Sequence, residues 1–173
     1  MSDLIIVLYG SQSAAFAAGE ALAVFQKEAG TEPEDIVVVT RAATGRVSVN
    51  QSIDLATGQP LGGGRWGALI GMLFLDRRKP GAQDKGLTAQ FLEAGLEEAF
   101  LRAVGQSLDK GGAAVGMRVR LLGANRVLDR VKALKGDPKI LHTRLSVDAE
   151  DALYDMQNQI PQDVLSQAAD GLF

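Results

Sequence analysis

Two short runs constrain this chain more than anything else in it: Leu4 to Tyr9 (LIIVLY) and Ile36 to Thr40 (IVVVT) are apolar almost without a break. Each is too short for a helix and rich in branched residues, so each reads as a strand. A strand with one face in water alternates apolar and polar residues. These two do not, so the sheet that holds them must be covered on both faces.

Between the runs, Gly10-Ser11-Gln12-Ser13 turns the chain, and Ser11 or Ser13 can N-cap an alanine-rich helix that runs to about Ala29, with Ala14, Ala18, Leu22 and Phe25 as its apolar stripe. Gly30 is the C-terminal stop. Ala43 to Arg46 reads as a hairpin turn into a half-exposed edge strand, Val47 to Ile53, with Val47, Val49, Gln51 and Ile53 on one face. Helical periodicity resumes from Gly86 to Leu108 through Phe91, Leu92, Leu96, Phe100, Val104 and Leu108, with Gly95 as a bend. Ala113 to Leu122 and Lys139 to Ser146 read as strands, Ala124 to Lys135 as an amphipathic helix, and Val147 to about Gln159 as a short one.

With the central helical stretch set aside, the order is strand, helix, strand hairpin, then strand, helix, strand. That is an α+β chain, a ferredoxin-like split βαβ sandwich with one extra hairpin strand. The reading is a single domain over 1–173, with a helical insertion at 61–108 and a C-terminal tail at 160–173. Such a sheet usually carries helices on one face. Here the second face calls for the insertion or another subunit.

The insertion opens with Leu61 to Leu75, LGGGRWGALIGMLFL, a glycine-zipper pattern in which Gly63, Gly67 and Gly71 recur every fourth residue and share one face if helical. Each glycine costs roughly 1 kcal/mol against alanine inside a helix. What it permits is the close approach of another backbone, the small-xxx-small packing of tightly paired helices. The segment is expected to make a buried helix contact or a contact between subunits, with Trp66, Ile70 and Phe74 beside the glycines. It falls short of the roughly 20 apolar residues of a spanning helix. Asp76 to Pro80 ends it with charge, either at a lipid headgroup surface or in a solvated loop.

Composition narrows the function classes. The 173 residues suffice for one real core, and 46% hydrophobic against 23% charged is an ordinary globular balance. With 18 basic and 21 acidic residues the net charge is -3, which does not suit a general nucleic-acid binder. There is no cysteine, hence no disulfide, thiolate metal site or catalytic thiol. Met1-Ser2-Asp3-Leu4 has neither a basic region nor a cleavage site, so a cytoplasmic location is expected, extending to the periphery of the inner membrane.

No constellation of residues identifies a reaction, a cofactor or a metal. His142, the one histidine, lacks the partners a metal needs and reads as a structural imidazole. Arg118, Arg120, His142 and Arg144 lie at alternate positions of two strands expected in one sheet, and so are expected to share a face. Such a patch either binds a phosphate or carboxylate or is neutralised by acids of the 86–108 helix such as Glu93, Glu97 and Glu98. Gly10 to Ser13 lacks a nucleotide-loop fingerprint and reads as a plain N-cap. The acidic pairs Glu34/Asp35, Glu97/Glu98 and Glu150/Asp151 are sequence neighbours rather than partners on one helix face.

Four segments taken in order, EDIVVVTRAATGRVSVNQSIDL, GGGRWGALIGMLFL, EEAFLRAVGQSLDKGGAAVGMRV and KILHTRLSVDAEDAL, resemble a bacterial family, domain of unknown function 1269, whose members are usually labelled predicted membrane protein or general stress protein. The resemblance runs nearly end to end. It departs where relatives continue into a second long apolar stretch and this chain continues with DRRKPGAQDKGLTAQF. It implies no enzyme activity, cofactor or catalytic residue. The expectation is a non-enzymatic protein that self-associates into a homo-oligomer, in a stress-related or membrane-proximal scaffolding role with peripheral membrane contact. The alternative is a module that senses a small anion on its basic sheet face.

Overall fold

The computed structural model describes residues 2–28, 36–43, 47–51, 69–70, 72–74, 84–108, 111–134 and 138–158. Its strands are β1 (Ser2–Tyr9), β2 (Ile36–Arg41), β3 (Val47–Gln51), β4 (Ala113–Arg120) and β5 (Lys139–Leu145). Its helices are α1 (Gln12–Glu28), α2 (Asp84–Ala94), α3 (Glu98–Ser107), α4 (Leu121–Ala133) and α5 (Val147–Asn158). The fold is α+β. The tail at 160–173 lies outside the described residues.

The strands form one sheet in the order β3-β2-β4-β1-β5, and every neighbouring pair is antiparallel. The unit β1-α1-β2 holds β4 between its two strands, and β4-α4-β5 holds β1 between its own, so the two units interlock. β3 adds a hairpin strand at the outer edge of β2, paired from Val37 with Gln51 to Arg41 with Val47.

Both faces of this sheet are buried. On one, Ile5, Val7, Tyr9, Ile36, Val38, Val115, Met117 and Val119 pack against Ala15, Ala18 and Leu22 of α1 and Val127 and Val131 of α4. On the other, Leu4, Ile6, Val37, Val39, Ala114 and Leu145 are covered by Leu69, Ile70, Leu73 and Phe74, by Phe91 of α2, by Phe100, Leu101 and Val104 of α3, and by Leu153 of α5. The second layer thus comes from the chain's own helical insertion and last helix.

Helix starts follow the side chains that can satisfy their free N–H groups. Ser11 Oγ accepts from the Ala14 N–H at 3.2 Å and caps α1, and Ser146 Oγ accepts from the Ala149 N–H at 3.1 Å and caps α5. The 86–108 periodicity resolves into two helices rather than one bent helix. Gly95, at φ +109°, takes the chain out of α2. Its N–H donates to the Leu92 carbonyl and the Leu96 N–H to the Phe91 carbonyl, both at 3.1 Å, the paired bonds of a Schellman ending. Phe91 and Leu96 are buried in the same cluster, the apolar contact that accompanies this motif.

A Cβ on Gly95 would meet only the Ala149 Cβ, at an ordinary 3.4 Å, so replacement there is opposed by backbone conformation rather than by space. Gly95→Ala is therefore expected to lower stability by about 1 to 2 kcal/mol. Urea unfolding should show the midpoint falling at unchanged slope. An unshifted midpoint would mean that the positive φ is not required.

Candidate functional site

The glycine-zipper segment is the first place to look for a contact. Gly63, Trp66, Gly67 and Gly71 lie outside the described residues. Of the other named positions, Ile70 and Phe74 are buried with Leu69 and Leu73 against the chain's own sheet. Their seat is Gly116 on β4, where a Cβ would collide with Cγ2 of Ile70 and touch Cδ1 of Ile6 at 3.4 Å. A missing side chain on the strand is what lets the segment lie this close.

Arg41, at the end of β2, fixes the segment from the other side. Its Nη2 donates to the Phe74 carbonyl at 2.6 Å in a buried position. Its backbone joins the start of β4, the N–H donating to the Gly112 carbonyl at 3.1 Å and the carbonyl accepting from the Gly111 N–H at 2.7 Å. Sequence reasoning passed over this residue, because an arginine closing a valine run looks like a solvated strand end.

The basic patch expected from Arg118, Arg120, His142 and Arg144 is not one patch. β1 lies between β4 and β5, and the registers place Arg118 level with Leu4 and Thr143, and Arg120 level with Ser2 and Leu145. His142 is level with Ile5 and Arg144 with Asp3. Residues opposite one another share a face and successive residues alternate. Arg118 therefore sits on the face covered by α2, α3 and α5, and His142 and Arg144 on the face covered by α1 and α4. Two of the guanidinium groups also have carboxylate partners. Arg118 Nη1 pairs with Glu150 Oε2 at 3.2 Å, and Arg144 Nε with the buried Asp3 Oδ1 at 3.1 Å. The 86–108 acids do not supply these partners; Glu98 pairs instead with Arg102, one turn along its own helix, at 2.8 Å.

A third surface was not anticipated. The inner stripe of α1 is Ala15, Ala18 and Leu22, yet its outer side also carries large apolar residues: Phe16 and Val24 are 43% and 44% exposed. A groove of about 420 Å³ runs beside them, lined by Ala17, Glu20, Ala21, Val24 and Phe25 of α1 and by Arg130 of α4. The Arg130 guanidinium stands 5.9 Å from the centre of the Phe25 ring, within cation–π range. The visible signal was that α1 is apolar on more than one side, whereas a surface helix should be so on one. On the opposite layer, exposed Leu92, Val147 and Tyr154 are interleaved with the exposed acids Glu93, Asp148, Asp151 and Asp155.

Elsewhere, burial pushes the Tyr9 phenol above its ordinary value. Among the described residues no three His, Asp or Glu side chains gather as a metal site requires, and no helix is long and apolar enough to cross a membrane.

The fold and its surfaces define an α+β sandwich with a doubly covered sheet and an outer groove of mixed polarity. The family model for a protein of unknown function, DUF1269, matches residues 60–157, and the chain belongs to that family. The match runs from the glycine segment through α5 and is shorter than the near end-to-end resemblance read from the sequence; β1, α1, β2 and β3 precede it. Comparison with curated proteins and with solved structures finds no match.

The Gly116 seat can be tested by a double-mutant cycle. Gly116→Ala should cost about 1 to 3 kcal/mol, since Ile70 must move. Ile70→Ala should cost about 2 to 5 kcal/mol through lost packing. Combined, the two should fall short of additivity by at least about 0.5 kcal/mol, because the shortened residue 70 no longer meets the new methyl. Additive costs in urea unfolding would place Ile70 away from Gly116.

Proposed function

We propose that the protein is a non-enzymatic assembly module that self-associates through the outer face of α1. The observation that carries this is the exposure of Phe16 and Val24 on one side of a helix whose exposed described positions are otherwise Gln12, Ser13, Ala17 and Glu20. Solvent-facing helix surface is ordinarily rich in charge, whereas Phe16 and Val24 here flank the single exposed acid Glu20 among the side chains described, and exposed large apolar residues grouped on one face mark an interaction site. The glycine segment does not take this role in the reading, because Leu69, Ile70, Leu73 and Phe74 are already spent on the chain's own sheet. Anion sensing on a shared basic face loses its support with the separation of Arg118 from His142 and Arg144 onto opposite faces. A stress-related or membrane-proximal scaffolding context remains part of the proposal, suggested by the labels that members of the resembled family carry.

Sedimentation velocity over a range of concentrations tests the reading. The wild-type chain should shift toward a larger species as concentration rises. Phe16→Lys should remain monomeric at the same concentrations. Its melting temperature should stay near that of wild type, since an exposed substitution away from buried features usually changes stability by no more than about 0.5 kcal/mol. A wild-type chain that is monomeric throughout would overturn the reading.

A further inference from the structure

Resting on that self-association reading, we propose that α1 docks against α1 of a second copy, antiparallel about a twofold axis between Glu20 and Ala21, with Arg130 of each copy paired to Glu20 of the other. Under twofold symmetry the same patch serves both sides, so it must be complementary to itself. The groove meets this requirement in charge. Glu20 and Arg130 line it together, yet among the described residues Glu20 makes no ion pair, and the contact that Arg130 makes is with the Phe25 ring. An acid and a base that share a groove without pairing inside one chain are available to pair between two.

The apolar residues meet it in shape. Residues four apart nearly overlie one another on a helix, so Phe16, Glu20 and Val24 form one row and Ala17, Ala21 and Phe25 the next. An antiparallel crossing between positions 20 and 21 sets Ala17 opposite Val24, Glu20 opposite Ala21 and Phe16 opposite Phe25 of the second copy. Large side chains meet small ones or another ring. The axis also brings the two Glu20 side chains near each other, about 1.5 Å apart along the helix direction, and Arg130 of each copy offsets the Glu20 carboxylate of the other. The alanines at the crossing allow the axes to approach toward the short end of the usual range of about 8 to 10 Å.

The interface is small. The 17 residues of α1 form a rod about 25 Å long, and one helix pair falls below the about 800 Å² per partner of a standard interface. A weak dimer that loosens with salt is expected, because its cross-subunit ion pair sits at a solvated rim.

Charge reversal with complementation provides the test. Glu20→Arg and Arg130→Glu should each raise the dimer dissociation constant at least about tenfold, as opposed charges become like ones. The double variant should dimerise about as well as wild type. An equimolar mixture of the two single variants should form a heterodimer, since each then offers the charge the other lacks, and far-ultraviolet circular dichroism checks that all remain folded. If wild type self-associates while both single variants dimerise undiminished, the contact lies elsewhere: this inference fails and the self-association reading stands. Single variants that stay monomeric when mixed would show that the pair does not act between copies. Masses growing beyond a dimer would show a head-to-tail contact, with the acidic layer of one copy on the α1 layer of the next, and would overturn the twofold axis. A wild-type monomer at every concentration removes both.

Discussion

Ile70 occupies the space that a side chain on Gly116 would need, and through that contact the second face of the sheet is closed. The need for closure is set by β1 and β2, whose residues are buried on both sides of the strand. α1 and α4 can cover only one face, so the chain must bring further apolar surface from outside the interlocked β-α-β units. Leu69, Ile70, Leu73 and Phe74 supply part of it, and burying side chains of this kind is worth about 1.5 to 3 kcal/mol each before the cost of ordering them. Arg41 holds the end of the segment by a charged hydrogen bond to a carbonyl, of a class worth about 1.5 to 3 kcal/mol.

Because Leu69, Ile70, Leu73 and Phe74 are turned inward, what the described residues leave for partners is the outward surface of the two helical layers. They differ. The layer of α2, α3 and α5 breaks up its exposed apolar residues with acids, as a solvated surface does. The α1 side exposes Phe16 and Val24, the latter lining a groove that bears one acid and one base. A small domain of near-neutral charge with few aromatic residues gains most from association where an aromatic ring and an arginine meet. Phe25 and Arg130 stand together there. The family match begins after β3, so the α1 part of the proposed contact surface precedes the matched region while Arg130 lies inside it.

Much of this architecture is legible from residue patterns. The unbroken apolar runs reveal strands covered twice, the sequence pattern locates α1, α4 and α5 to within a few positions while running α2 and α3 together, and the alternation after the hairpin turn marks β3 as an edge. What escapes is whatever depends on strand order. Whether Arg118 and Arg144 share a face cannot be told from alternation within each strand, because β1 inserts between β4 and β5 and sets both registers. For the same reason Asp3 and Glu150 were not foreseen as ion partners. The glycines of the 61–75 segment lie outside the described residues, and the close approach that is seen uses Gly116 on a distant strand, a long-range fact for which β4 offers no local signal. The α1 surface was legible in principle. Phe16 and Val24 fall off the Ala18 and Leu22 stripe, a second apolar face that periodicity displays and a search for one core face passes over.

Amide hydrogen exchange at low and high protein concentration separates internal packing from assembly most directly. If the glycine segment is docked within the chain and α1 is the contact between chains, protection over residues 69–74 and β4 will be the same at both concentrations, while peptides spanning Gln12 to Glu28 gain protection as concentration rises. Protection that grows with concentration over residues 69–74, with α1 unchanged, would contradict the account and return the intersubunit contact to the glycine segment.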